Sequence, residues 1–217
     1  MLYIRELMSS SKPAKAKTQA NLSQYSQTKR QQIVDGAIRV FLKYGYADTS
    51  MNRVAEESGV IKQTIYSHFS DKEGLFRAII ETLTLEHFRN EFGDNLSFEE
   101  SPDVVLRKIG TVFMQRKNDP SYIALMRTVI GESARFPELA RLYVNTVIGP
   151  AKQALSAYFA AQKQLQISEP EATARIYCGS IVSYIMTQEV LHGNEIIPFD
   201  SERFLNTLIA MVLGQKK

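Results

Sequence analysis

GVIKQTIYSHFSDKEGLF, Gly59 to Phe76, holds a glycine turn, a short helix and the start of a further helix. Ile65 and Phe69, four apart, give the short helix one apolar stripe. Lys62, Gln63, Thr64, Tyr66, Ser67 and His68 cover the rest of its surface. All six can hydrogen-bond and none is a carboxylate. A face meant only for water normally carries some Asp or Glu, whereas one that meets a polyanion does not. Nucleic acid is the partner this pattern calls for. Ser70-Asp71-Lys72-Glu73 then reads as a capping box with Ser70 as N-cap, so a helix begins there. Its free N–H groups, with Lys72, form an expected phosphate site.

Upstream, Ile33, Ala37, Val40, Phe41 and Tyr44 repeat at helical spacing, and Gly45 stands where a left-handed C-cap would end that helix. Thr49 and Ser50 can cap a second helix that carries Met51, Val54 and Ala55 inward and ends at Ser58-Gly59. Helix, capped helix, glycine turn, helix, capped helix is the order of a helix-turn-helix within a small bundle. On phosphates the reading places Thr49, Tyr66, His68 and Lys72; on base edges it places Lys62, Gln63, Thr64 and Ser67, with Ser50 completing the DNA-binding set.

These residues resemble the TetR family of bacterial transcription regulators. The resemblance is carried by Phe41-x-x-Tyr44-Gly45-Tyr46, Thr49-Ser50, Val54-Ala55, Gly59-Val60, Ile65-Tyr66, His68-Phe69 and Lys72-Glu73-Gly74-Leu75. It implies an all-α protein with a three-helix helix-turn-helix domain at 27–74, whose DNA-reading unit spans about 50–69, and a helical ligand-binding and dimerising domain at 75–217. Ile61 stands where the family usually has a capping residue before the recognition helix, and an isoleucine cannot cap.

The formal charge of +3 is uneven. Residues 1–30 hold Arg5, Lys12, Lys15, Lys17, Lys29 and Arg30 against Glu6, a net of +5, so the other 187 residues sum to −2. The basic excess is an N-terminal segment, read as a flexible arm over 1–26 that is either a solvated tail or a contributor to phosphate neutralisation. Cys178 is the one cysteine, so no disulfide within the chain or cysteine-rich metal site forms, and a reducing cytoplasm, close to the nucleoid, fits. No run approaches the roughly 18 apolar residues of a membrane span.

Past a fourth helix ending near Asn90, prolines at 102, 120, 137, 170 and 198 fall near element boundaries. They outline five more helices, at 102–117, 121–134, 137–164, 169–192 and 200–214, about nine in all with the first four. Gly131 to Gln162, with Arg135-Phe136-Pro137-Glu138-Leu139 and Gly149-Pro150, resembles the C-terminal domain of the AefR-like branch of the same family. Pro150 cannot donate to the Thr146 carbonyl and is expected to kink this helix, around a cavity or as a plain bend. The expected dimer surface lies on the last two helices, at Ile181, Ile185, Phe204, Leu205, Leu208, Ile209 and Val212, with monomer core as the alternative. Candidate pocket groups are Met114, Tyr122, Met126, Arg127, Tyr143, Tyr177 and Tyr184, suited to a small hydrophobic or aromatic molecule.

His68, His87 and His192 are scattered, and the chain carries no histidine pair at ligand spacing, phosphate-binding glycine loop or serine elbow. Catalysis, a cofactor and a bound metal are therefore not expected. The expected protein is a homodimeric repressor on a palindromic operator, released by a ligand. A ligand-independent architectural DNA binder and an activator use the same residues and stay open.

Overall fold

The structure, a computed structural model, describes residues 12–92 and 100–214, apart from the side chains of 12–23, 87 and 91. Every regular element among the described residues is helical, and none is a strand. The chain divides into two compact units, Met1–Leu75 and Phe76–Lys217.

In the first unit α1 (Lys12–Tyr44) packs on α2 (Met51–Ser58), and α2 on α3 (Lys62–His68). Ile33, Val34, Ala37, Val40 and Phe41 of α1 close over Met51, Val54 and Ala55 of α2 and Ile65 of α3, all buried. Each large aliphatic side chain sealed this way contributes about 1.5–3 kcal/mol of transfer free energy. Tyr44 departs from the expected stripe: it is 41% exposed, and its ring lies beneath the Arg53 guanidinium at 4.6 Å. Gly45 and Gly59 adopt left-handed φ of 73° and 63° at the ends of α1 and α2, which glycine tolerates without a Cβ penalty.

The backbone is already helical at Lys12, where the sequence reading had a flexible arm to residue 26. Ala14, Ala16, Gln19, Ala20 and Leu22 are strong helix formers, so a helix nucleated by the packed half of α1 extends through them cheaply. Arg5 and the rest of residues 1–11 lie outside the described residues. At α4 (Lys72–Phe92) the cap is Asp71 rather than Ser70: Gly74 N–H donates to Asp71 Oδ1 at 2.7 Å. Asp caps as well as Ser does, and the shift by one residue places a carboxylate at the helix start.

The second unit holds the rest of α4 with α5 (Pro102–Gln115), α6 (Pro120–Glu132), α7 (Pro137–Tyr143), α8 (Gly149–Ala161), α9 (Pro170–Ile185) and α10 (Ser201–Val212). A π-helical turn, Val144–Ile148, joins α7 to α8, and a second, Met186–Val190, extends α9. The expected helices at 137–164 and 169–192 thus each contain one wider turn. In the first, Gly149 N–H bonds to Val144 O, five residues back, directly before Pro150. A widened turn is one way for a helix to accommodate a proline that cannot donate to the preceding turn. α5, α9 and α10 meet at Gly110, where a Cβ would lie 2.2 Å from Leu205 Cδ1 and 2.9 Å from the Tyr177 hydroxyl. No helix among the described residues is long and apolar enough to cross a membrane.

Five of the seven expected dimer residues belong instead to the core of a single chain. Ile181, Ile185, Leu205, Leu208 and Ile209 are all under 7% exposed within one chain, where they form the core between α9, α10 and α5. Phe204 and Val212 are half-buried, Phe204 against the Tyr184 ring at 4.8 Å. Apolar groups on the outer side of the same helices are Ile176, Val182 and Met211, which are 62%, 39% and 74% exposed. Periodicity located the apolar residues, but α9 is apolar around most of its circumference and periodicity could not say which side faced inward.

Candidate nucleic-acid interface and helical-unit cavity

α3 is short, and its position depends on Ile65 and Phe69, 0% and 5% exposed. Locking that stripe inward turns Lys62, Gln63, Tyr66 and Ser67 to solvent, with Thr64 and His68 half-buried at its margins. No acidic side chain lies on the helix. Lys62 Nζ sits 5.9 Å from the Tyr66 ring centroid, and Ser67 Oγ donates to Thr64 O at 2.7 Å. Ile61 precedes the helix without a side-chain cap and is 69% exposed, so the first N–H groups of α3 receive no side-chain cap from it. On α2, Ser50 fills the role expected of it, accepting from Arg53 N–H at 3.3 Å.

Two residues expected at phosphates make contacts within the protein. Thr49 is buried and its hydroxyl donates to Gly45 O at 2.7 Å, which removes it from the surface. Lys72 is half-buried: its ammonium donates to Ala47 O at 3.4 Å and lies 4.3 Å from the Tyr46 ring centroid. With Asp71 holding the start of α4, the N-terminal anion site expected there is already supplied with a negative group.

Sequence reasoning missed the contribution of α1. Tyr25, Ser26 and Lys29 line a groove of about 440 Å³ together with Gly59, Val60, Thr64 and His68. Lys29 donates to Gln32 Oε1 at 3.0 Å, and Arg30 lies 5.1 Å over the Phe69 ring. The i, i+4 pair of Tyr25 and Lys29 was the available signal, hidden by assigning 25 and 26 to an arm.

The second unit holds a part-open cavity of about 350 Å³ between α4, α5, α6 and the α7–α8 rod. A second cavity of about 300 Å³ shares Phe113, Tyr122, Tyr143, Val147 and Ala151 with it and reaches Met126 and Cys178. Of the expected pocket residues, Tyr122 and Tyr143 line both cavities and Met126 lines the second. Burial raises the Tyr122 phenol above its ordinary range, partly offset by the Tyr143 hydroxyl and the Arg116 charge. Tyr143 is raised further, by burial first and by Tyr122 second. Burial also pushes the Cys178 thiol up to about 11, which removes it as a ready nucleophile.

The other four pocket candidates do not line either cavity. Met114 is core. Tyr177 donates to Leu106 O and Tyr184 to Phe199 O, each pinning a neighbouring segment. Arg127 donates from Nε to Val190 O at 3.3 Å and from Nη2 to Glu189 O and Val190 O at 3.1 Å, so it ties off the end of the second π turn. The arginine at the cavity is Arg116, which sequence reasoning passed over because Gln115-Arg116-Lys117-Asn118 reads as an ordinary polar helix end.

Residues 33–79 match the model for bacterial regulatory proteins of the tetR family, and residues 104–214, just over half of the chain, match the AefR-like transcriptional repressor C-terminal domain. The chain is 26% identical over 145 residues to the uncharacterized HTH-type transcriptional regulator YerO of Bacillus subtilis, covering 61% of this chain and 50% of that one. It is 37% identical over 86 residues to the HTH-type transcriptional regulator AcrR of Shigella flexneri, covering 40% of each. The chain thus spans half or less of the length of these curated relatives. Salmonella enterica GusR has the same fold, with a TM-score of 0.65 at 23% identity over 87% of this chain and 95% of that one.

Proposed function

The chain belongs to the tetR family of bacterial regulatory proteins, DNA-binding regulators of transcription rather than enzymes, and from that membership we propose that it is a cytoplasmic, homodimeric repressor, released from a palindromic operator by a small molecule. The observation that carries the DNA half of this reading is the surface of α3. Its apolar stripe is buried and its exposed remainder is polar, basic and free of carboxylates. In this reading Gln63, Lys62, Thr64 and Ser67 meet base edges in the major groove, while Tyr66, His68 and Lys29 contact phosphates. Two copies place their α3 helices in successive major grooves, roughly 34 Å apart.

The two adjoining, mostly apolar cavities of the second unit support the ligand half. A ligand acts on DNA binding only to the extent that it favours a conformation in which the two α3 helices no longer fit the operator. α4 is the covalent route for such a change, because its first residues belong to one unit and the rest to the other. The test is retention of an operator duplex by the full-length protein while a chemically diverse small-molecule set is added. Release by some members and not others is expected. A complex that no cavity-sized molecule weakens would replace this reading with ligand-independent DNA binding.

A further inference from the structure

Arg116 is 4% exposed and lines the larger cavity, yet Nε, Nη1 and Nη2 all lack a hydrogen-bond partner among the described residues. The Thr146 hydroxyl, in the first π turn and on the same cavity, is likewise buried and unpartnered. Buried polar groups are nearly always satisfied, and a buried guanidinium with unused donors calls for an explanation. Arg127 shows how this fold uses an arginine for structure, with three bonds to backbone carbonyls. Arg116 has instead the Tyr122 ring 5.0 Å away and Asp119 Oδ2 at 3.4 Å from Nη2. Asp119 serves two groups: its Oδ2 makes this ion pair with Arg116, while its Oδ1 caps α6 by accepting from the N–H groups of Ser121 and Tyr122.

We propose that Arg116 is the anchor of a carboxylate site, and that the ligand of the helical unit is an amphipathic organic monoacid. Its carboxylate pairs with the guanidinium and the Thr146 hydroxyl, while its apolar body lies against Phe113, Val147 and Ala151. The inference rests on reading this unit as ligand-binding. A planar guanidinium matches a carboxylate in bidentate geometry, and the Asp119 ion pair reaches only Nη2, which leaves the Nε and Nη1 donors of Arg116 for the ligand. A monoanion fits better than a phosphate dianion, because Asp119 already offsets part of the Arg116 charge and the other arginine on the cavity, Arg89, is exposed to solvent.

The test is calorimetric titration of the full-length protein with octanoate and trans-cinnamate, beside octanamide and cinnamamide as neutral isosteres. The acids are expected to bind at least about tenfold more tightly than the amides. Arg116→Met should abolish that preference while leaving amide binding intact, and Arg116→Lys should restore part of it. Equal binding of acid and amide, undiminished acid binding by Arg116→Met, or no acid binding at all would overturn the proposal. If Arg116→Met does not fold, the acid-to-amide ratio of the wild-type protein decides. The same probes are then added to a protein–operator complex, which separates this inference from the release mechanism. An acid that binds through Arg116 but leaves DNA bound upholds the site and refutes ligand release. An amide that releases DNA where no acid binds upholds release and refutes the site.

Discussion

Gln63 is exposed on α3 and carries both a donor and an acceptor, the combination that pairs with adenine N7 and N6 in the major groove. Gln63→Ala should therefore relax preference at one base pair of the half-site, with about 1–3 kcal/mol of lost discrimination, and leave affinity for random DNA unchanged. A sequence-preference profile measured for wild type and variant checks this. Tyr66→Phe, by contrast, should weaken all sequences alike. At this scale the exposed residues of α3 were legible in the sequence because a single buried stripe, Ile65 and Phe69, dictates every other direction on a helix of two turns. Thr49 was not legible. Its hydroxyl bonds to Gly45 O through a turn whose geometry no spacing rule encodes.

Elements were legible where a glycine, a proline or a cap marks them. Gly45 and Gly59 end α1 and α2 as their left-handed φ requires, and Pro102, Pro120, Pro137 and Pro170 each open a helix. Capping by one of two adjacent candidates was not, since Ser70 and Asp71 both cap well and only the bond to Gly74 N–H chooses between them. Asp71→Ala should lower stability by about 1 kcal/mol, seen as an earlier urea midpoint, whereas Ser70→Ala should leave the midpoint nearly unmoved. The reverse order would restore Ser70 as the cap. The π turns are a further case: Pro150 signalled a disturbance, and the structure absorbs it by widening the turn at Val144–Ile148, which brings Thr146 and Val147 to the cavity wall.

For the whole molecule, the distinction between core and interface needed three dimensions. Leu208 is 6% exposed within one chain, so Leu208→Glu buries an unpaired charge and should unfold the second unit rather than release a folded monomer. Ile176 and Met211 lie on the outside of α9 and α10. Ile176→Glu combined with Met211→Glu should leave the fold intact by circular dichroism and shift sedimentation from dimer to monomer. A folded double variant that stays dimeric would place the contact elsewhere. The charge of the first 30 residues was plain from the sequence, but its structural setting was not, because α1 runs unbroken from Lys12 into the packed part of the first unit.

The central claim is that this chain reads DNA as a twofold pair of α3 helices. Selection of bound duplexes from a random-sequence pool by the full-length protein, followed by sequencing, tests it most directly. The account predicts an enriched palindrome whose half-site centres lie about 10–10.5 base pairs, or a multiple of that, apart. A pool without enrichment, or a single unrepeated half-site bound by one copy of the chain, would contradict it.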